Sequence, residues 1–504
     1  MEQSALTDSP RDGKLKHSSL RRILETRPLR AAAGWIITGS LIYAPFVFGS
    51  VPTFAIQQLN LALGAAASCW FLDCLLYRKV PKVPIILVLC GIIALALGWF
   101  MTWNARSTFA IQSGYLVQTY IHPHRPSLPG ALERMTARLT MQRLDSLFAG
   151  LLTASDLARD KLWRKRWVVI IAGTGAAIAC FGVAQQAGMA TFVATRMNQL
   201  EGEYFATFNY HGNAGAYMNL ALPLSFAVCL YTFETRKPAI HRCAGAAMFG
   251  ITLIGIMANT SRGAQAVSIL IVIGMGGAAA LRFVSHAGSL YRYRKVVWPL
   301  IALLFVGVVG AVGMHSARNA EKWRELPSEL AKNSSRWQVW RVTVPMAKSA
   351  GALGHGPGSF KLLLPQSPML SDALLSRWVL QPRIIPGFPI SMWSMAHNDY
   401  LQTWVEFGWL GLMLALSVLI GGVTRSLLRI RAKQSNARSA DGYVLFGVTA
   451  AVLGVIVNSL FDFPLQVASI QVTVIVLLGI CWSSSPLEEG KSSVYESVSY
   501  PADR

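Results

Sequence analysis

Repeated apolar runs of about twenty residues constrain this chain more than any other feature of its sequence. A helix needs about twenty such residues to cross the core of a bilayer, and its backbone polar groups must pair within the span. The sequence therefore predicts an all-α polytopic membrane protein with about 12 transmembrane helices. Along the 504 residues the predicted spans are 31–51, 53–76, 83–103, 141–158, 167–187, 211–233, 243–260, 264–282, 296–314, 401–424, 442–460 and 466–482.

Composition and charge agree with this fold class. Hydrophobic residues make up 53% of the chain and charged residues 14%, which is too apolar for a soluble enzyme of several domains. The net charge of +22 suggests nucleic acid at first, but the basic residues form short clusters between apolar runs, as membrane orientation requires. We therefore expect membrane lipids as partners and no nucleic acid. The seven cysteines lie in or beside predicted spans, so no disulfide framework is expected.

The basic clusters also predict the topology. They follow alternate spans and share one side of the membrane only if the fourth segment crosses, despite its charged residues Arg143, Asp145 and Asp156. By the positive-inside rule that side is the cytoplasm. A protein with cytoplasmic termini is predicted, without a cleaved signal peptide. Its parts are a basic segment 1–30, a membrane domain 31–482, a first external loop 104–140, a large external loop 315–400 between spans 9 and 10, which is periplasmic if the protein lies in a bacterial inner membrane as the resemblance below implies, and a disordered tail 483–504.

His397 stands where the large external loop runs into an apolar helix. An imidazole at such a boundary can take a proton from a hydroxyl near neutral pH, which makes His397 a candidate general base. The polar residues Asn398 and Glu406 follow it and are candidate supporting residues. A helix cap is the alternative for His397, and local sequence alone favours the cap.

Three arginines on the external side are candidates for binding phosphate. Arg262 lies in TSRG (260–263), between two apolar runs with almost no loop between them. Its guanidinium can bind a lipid diphosphate through two parallel hydrogen bonds, or it can reach lipid headgroups without specific binding. Arg336 and Arg341 lie five residues apart in SRWQVWR (335–341), so only one can face inward on a helix. An interfacial helix anchored by Trp and Arg is the alternative.

Two further polar segments lie on the external side. GHGPGSFK (354–361) lacks the ending of a nucleotide-binding P-loop, and we expect a glycine-rich turn that brings the outer loop close to the membrane. His211 and Asn213 form a polar mouth at the start of the sixth span, which helix capping explains equally well. No metal-ligand spacing occurs in the external segments, so neither a metal nor another cofactor is expected.

Four segments in this order give the chain a family resemblance. They are FNYHGNAGAY (208–217) leading into LALPL, TSRG, SRWQVWR to GHGPGSF, and HNDYLQTWVEFGWLG (397–411). With them, the region 200–465 resembles the O-antigen ligase and polymerase superfamily of bacterial cell-envelope glycosyltransferases. Ala214, where the family often has a bulky residue, and the long first external loop depart from the family pattern.

The resemblance implies a function and roles for the candidate residues. The donor would be a glycan on undecaprenyl diphosphate, bound by Arg262 and Arg336, with Arg341 as a less certain helper. His397 would act as general base in a metal-independent, inverting transfer. The acceptor could be lipid A core, another glycan or a protein, and the sequence does not separate ligase, polymerase and protein O-oligosaccharyltransferase. A transporter or a non-catalytic scaffold would not need these residues gathered on one external face, which favours the enzyme.

Overall fold

The computed structural model describes residues 27–112, 115–189, 204–284, 324, 335–364, 395–434 and 441–483. Within these residues the chain is mostly helical, and one short hairpin interrupts the helices. The helices are α1 Pro28–Phe46, α2 Thr53–Leu76, α3 Ile85–Trp103, α4 Arg134–Leu157, α5 Lys161–Gln186, α6 His211–Glu234, α7 Ala239–Ala258, α8 Arg262–Val284, α9 Ser335–Ser349, α10 Phe360–Leu363, α11 Asp399–Gln434, α12 Asp441–Asn458 and α13 Ala468–Trp482.

The helices follow the apolar runs of the sequence. A helix lies at each predicted span except the ninth, 296–314, which lies outside the described residues. Among the residues that the structure describes, six helices are long and apolar enough to cross a membrane: α2, α3, α5, α6, α7 and α11. The prediction of a helical polytopic membrane protein is thereby confirmed, while the number of twelve spans stays a prediction.

The segment 104–140, predicted as the first external loop, contains strands that an all-α fold does not include. Strands β1 Ser107–Gln112 and β2 Tyr115–Tyr120 pair antiparallel, so "all-α" holds for the helices but not for this segment. Helix α4 then begins at Arg134, about two turns before the predicted span. The Glu133 side chain caps this helix by accepting hydrogen bonds from backbone N–H groups of its first turn. Hydropathy missed these turns because Arg134 and Arg138 are polar.

Three charged residues within the predicted fourth span, Arg143, Asp145 and Asp156, face other parts of the protein. Each of them forms a hydrogen bond to a group on another element, so none is left to lipid. Asp156 pairs with Arg30 and accepts hydrogen bonds from Trp70 Nε1 and the backbone of Lys82, Asp145 accepts one from Trp99 Nε1, and Arg143 donates one to the Gln466 carbonyl.

Helix α6 lies at the centre of the bundle and packs against α5, α7, α8 and α12. In its most apolar stretch 83% of the residues are buried, against 22% for the peripheral α3. Small residues allow close approach at these contacts: Gly175 of α5 meets Ala221 of α6, and Gly255 of α7 meets Ala179 of α5. Such pairs are typical of helices packed within a membrane, where dispersion contacts drive association.

Candidate functional site

His397 forms a buried pair with an aspartate far along the chain. It lies just before α11, while Asp462 lies in the turn between α12 and α13. His397 Nδ1 is 3.2 Å from Asp462 Oδ1, and both side chains are about nine-tenths buried. His397 also has a positive φ of 50°, an uncommon conformation for a residue other than glycine. The pairing fixes the orientation of the imidazole.

The charge of Asp462 supports this pairing. Burial alone would raise the pKa of the Asp462 carboxyl, but the hydrogen bond and charge of His397 and the charge of Arg336 outweigh it, so the pKa is lowered. The carboxylate therefore stays ionised and accepts the Nδ1–H of the imidazole. A histidine that donates from Nδ1 in this way presents Nε2 as its proton-accepting nitrogen.

Aromatic rings enclose the imidazole and connect it to an arginine. The Phe463 ring meets it edge-on at 4.7 Å, and the Tyr210 ring stacks on Phe463 at 5.8 Å. The Tyr210 hydroxyl donates to Asp462 Oδ2 at 3.5 Å and accepts from an Arg336 nitrogen at 3.3 Å. We call these five residues, His397, Asp462, Phe463, Tyr210 and Arg336, the His397 cluster. The structure thus brings Arg336 to the predicted base.

The start of α11 is capped by the neighbour of the histidine. Asn398 Oδ1 accepts a hydrogen bond from Leu401 N at 3.0 Å, and Asn398 Nδ2 donates to the Leu460 carbonyl at 3.0 Å. Asp399 accepts from Gln466 Nε2 at 3.2 Å and from the Leu465 backbone N–H at 2.9 Å. Two adjacent residues therefore tie the helix start to the 460–466 turn, and the capping role belongs to Asn398.

A break in α11 anchors the outer segment. Gly408 has non-helical angles, φ 66° and ψ −176°, which remove hydrogen bonds that a continuous helix would make. The backbone of residues 351–356 replaces them on both sides of the break. Trp409 N and Leu410 N donate to the carbonyls of Gly351 and Ala352, while His355 N and Gly356 N donate to the carbonyls of Val405 and Glu406.

We call these hydrogen bonds between residues 351–356 and α11 the backbone splice, and glycine is required at two of its positions. A Cβ on Gly354 would overlap the backbone of Glu406, and one on Gly408 would overlap the backbone of Ala352. Both glycines also have positive φ, which side chains disfavour. The glycine-rich segment is therefore a turn packed on α11, as the sequence predicted, and it fixes the outer segment to the helix that follows His397.

Glu406 does not take the position that the sequence suggested. It was a candidate supporting residue for His397, but the carboxylate paired with His397 is Asp462. Glu406 instead accepts hydrogen bonds from Gly358 N at 2.9 Å and from Gln402 Nε2 at 3.2 Å. Its side chain therefore holds the glycine-rich turn against α11.

The other predicted site residues lie around the start of α6 and on α9. Asn259, which directly precedes the TSRG segment, donates from Nδ2 to the His211 carbonyl at 2.9 Å, so this junction packs at the start of α6. Arg262 is the first residue of α8. The His211 ring is 4.8 Å from that of Tyr210. Asn213 is buried in the first turn of α6, whereas the Arg341 side chain is exposed on α9.

Asp462 and Tyr210 were missed by the sequence analysis. The signal for Asp462 was present, since it lies in Phe461-Asp462-Phe463-Pro464, a short gap between two apolar runs on the predicted external side. The argument that selected Arg262 applies equally to it. Tyr210 lies in the FNYHGNAGAY segment, but its contact with Arg336 joins residues that are far apart in the sequence. Among the described residues, no group of three or more His, Cys, Asp or Glu side chains could hold a metal ion.

Part of the chain matches a known protein family. Residues 247–416 match the family model described as O-antigen ligase, Wzy_C, and this stretch contains Arg262, Arg336 and His397. Tyr210 and Asp462 lie outside it. A search of curated proteins found no match. Members of the matched family are glycosyltransferase-like enzymes. This helical membrane protein therefore contains, at residues 247–416, a segment similar to the O-antigen ligase family, which supports its resemblance to that superfamily.

Proposed function

We propose that this protein transfers a glycan from undecaprenyl diphosphate to an acceptor hydroxyl at the periplasmic face of the inner membrane. The observation that carries the proposal is the buried pair of His397 and Asp462 beside Arg336. A histidine oriented by an ionised carboxylate is suited to general-base catalysis. An arginine next to it supplies the positive charge that a departing diphosphate needs.

The proposed reaction is a single displacement at the anomeric carbon. The acceptor oxygen forms a bond to that carbon while its proton passes to Nε2 of His397. The bond from the carbon to the diphosphate oxygen breaks, and undecaprenyl diphosphate leaves with the electron pair. Attack opposite the leaving group inverts the configuration. Asp462 stabilises the imidazolium through its hydrogen bond to Nδ1.

Two of the three candidate arginines are assigned to the diphosphate in this proposal, and the third to the rim of the site. Arg336 contacts Tyr210 within the His397 cluster, and Arg262 begins α8 where its junction packs on His211. Both are assigned to the diphosphate, whose oxygens match the planar guanidinium fork. Arg341 is exposed, so a role at the rim of the site is assigned to it.

The acceptor hydroxyl in this proposal belongs to lipid A core, a polysaccharide or another glycan. The termini are assigned to the cytoplasmic side. Polymerisation of the glycan and transfer to a protein would use the same base and the same diphosphate site. Transport of the lipid-linked glycan is disfavoured, because a paired histidine and carboxylate at one end of the bundle serves proton transfer better than alternating access.

His397→Ala tests the proposal. Loss of a general base slows transfer by about two to four orders of magnitude, whereas donor binding persists because the arginines remain. Single-turnover transfer from undecaprenyl-diphosphate glycan and donor binding are measured on one purified sample. His241→Ala, which removes an exposed histidine at the start of α7, is the matched control and should transfer at the wild-type rate.

The pH dependence adds a second readout. Because Asp462 is already ionised, we expect transfer by the wild-type protein to rise with pH as the imidazole becomes neutral, and this rise to vanish in His397→Ala. Near-normal transfer by folded His397→Ala would remove the histidine from the mechanism.

A further inference from the structure

A cavity of about 600 Å³ lies between α2, α3, α4, α11 and α13. Ligand pockets in proteins span roughly 300–1,000 Å³, so it is large enough for a substantial ligand. None of the residues that line it belongs to the His397 cluster, and none comes from α6 or α8, the helices beside Arg262 and Arg336. We call this cavity the α4 chamber. It is separate from the side of the site assigned to the diphosphate.

The α4 chamber has two chemically different ends. Arg143, Lys361, Gln402 and Gln466 line a polar part, while the wall contributed by the middle of the spanning helices is aliphatic, with residues such as Leu147 and Leu414. Helices α2 and α3 each pack on α4, and the described residues show no close packing of α2 on α3. A cavity with a polar end and an aliphatic body matches an amphiphile with an alkyl chain.

Arg143 indicates the charge of that amphiphile. One of its terminal nitrogens donates to the Gln466 carbonyl at 2.9 Å, but its Nε is buried without a hydrogen-bond partner. Burying such a donor unpaired is costly, particularly on a charged group. Lys361 also lines the chamber, but the Glu406 carboxylate lines it too and interacts with Lys361, so the unsatisfied donor belongs to Arg143. An anionic headgroup would satisfy Arg143, and phosphate offers the guanidinium two acceptor oxygens.

The polar end of the chamber lies close to the predicted base. Met395 lines the chamber and precedes His397 by two residues, and Gln466, which also lines it, donates to Asp399 at 3.2 Å. The wall of the chamber therefore continues along the chain into the segment that carries His397. A lipid held in the chamber would have its polar end near that segment.

We propose that the α4 chamber binds an anionic lipid, with its phosphate at Arg143 and an alkyl chain among the aliphatic residues. That this lipid is the acceptor rests on the proposed function, whereas its binding does not. The acceptor would then be held by residues separate from those assigned to the diphosphate.

Binding of hexadecyl phosphate to the protein in lipid nanodiscs tests the proposal, with uncharged hexadecanol as the comparison ligand. Ala94→Phe places a ring in the chamber wall, and Ala96→Phe places the same ring on the exposed face of the same helix. Arg143→Gln removes the charge but keeps a donor for the Gln466 carbonyl. Affinity is measured by native mass spectrometry and checked by the shift in melting temperature.

We expect wild type and Ala96→Phe to bind hexadecyl phosphate equally and in preference to hexadecanol. Arg143→Gln should bind it about tenfold or more weakly, since a hydrogen bond to a charged group is lost, and Ala94→Phe should abolish binding. Equal affinity of Ala94→Phe and Ala96→Phe, or of hexadecyl phosphate and hexadecanol, would overturn the proposal. The assay needs neither donor nor transfer, so a failure of His397→Ala to slow transfer would leave its result intact.

Discussion

Each end of the helix bundle holds a buried aspartate, and the two carboxylates are satisfied in different ways. Asp156 pairs with Arg30 and accepts further hydrogen bonds from Trp70 and the backbone of Lys82, so permanent donors surround it. Asp462, at the other end, pairs with His397, whose charge depends on pH.

Under the proposed function, this difference separates a structural ion pair from a catalytic one. An arginine holds its proton throughout the physiological range, so the environment of Asp156 has one state. A histidine can accept and release a proton, as the proposed transfer requires. Burial is common to both pairs, and the cationic partner differs between them.

The largest expected effect is that of Asp462→Asn on transfer. Asparagine keeps the size of the side chain but cannot stabilise an imidazolium as a carboxylate does, and it can favour the wrong imidazole tautomer. Transfer should fall by about two to four orders of magnitude, with donor binding nearly unchanged. Single-turnover rates and donor affinity are measured together. A wild-type rate in Asp462→Asn would show that this pair, like that of Asp156, is structural.

Asp156→Asn should show the reverse pattern. Breaking a buried ion pair leaves Arg30 uncompensated and destabilises a protein by about 3–5 kcal/mol. We expect a clear fall in melting temperature and in yield, but a normal rate per folded molecule. Thermal unfolding and active-site-normalised transfer on the same preparation test this. Slow transfer by a sample of wild-type stability would contradict a purely structural role for Asp156.

Arg262→Lys sharpens the comparison at the site end alone. Lysine keeps the charge but loses the planar fork, so one charge-assisted hydrogen bond to the diphosphate is lost, which is worth roughly ten- to a hundredfold in transfer. Arg236→Lys is the matched control at an exposed position with no assigned role and should change transfer little. Wild-type donor affinity and turnover in Arg262→Lys would show that Arg262 contacts only headgroups.

Gly354→Ala has the smallest expected effect and tests how the site end is held. A side chain at its positive φ of 87° adds strain of about 1–3 kcal/mol, and its Cβ would meet the Glu406 backbone. Melting temperature should fall, with a modest loss of transfer. Gly64→Ala, where a Cβ meets no neighbour, is the control. Equal stability of the two variants would show that the splice at Gly408 does not support the site.

The sequence predicted the helices well because each depends on local composition. The apolar runs located most of the long helices, and the charge alternation favoured α4 as a crossing helix despite Asp145 and Asp156. The start of α4 and the hairpin were missed because hydropathy carries no signal for polar helical turns or short strands. These errors lie in the segment between spans, where composition constrains structure least.

The site was predicted in part, for a physical reason. His397 and Arg336 were identified because each stands in a local motif, but Asp462 and Tyr210 reach them across long stretches of chain. Proximity along the chain also misled: Glu406 follows His397 closely and was taken as a supporting residue, whereas its partners are Gly358 and Gln402. Pairings set by the packing of several helices are not encoded in the periodicity of one.

The backbone splice at Gly408 has a consequence for how such a protein can diversify. Residues 351–356 are joined to α11 on both sides of Gly408, and Asn398 fixes the start of the same helix to the Leu460 carbonyl. Two parts of the chain that are remote in sequence therefore hold the beginning of α11 in place. Substitutions on other surfaces can accumulate without shifting His397, so the candidate base can keep its geometry while neighbouring surfaces diverge.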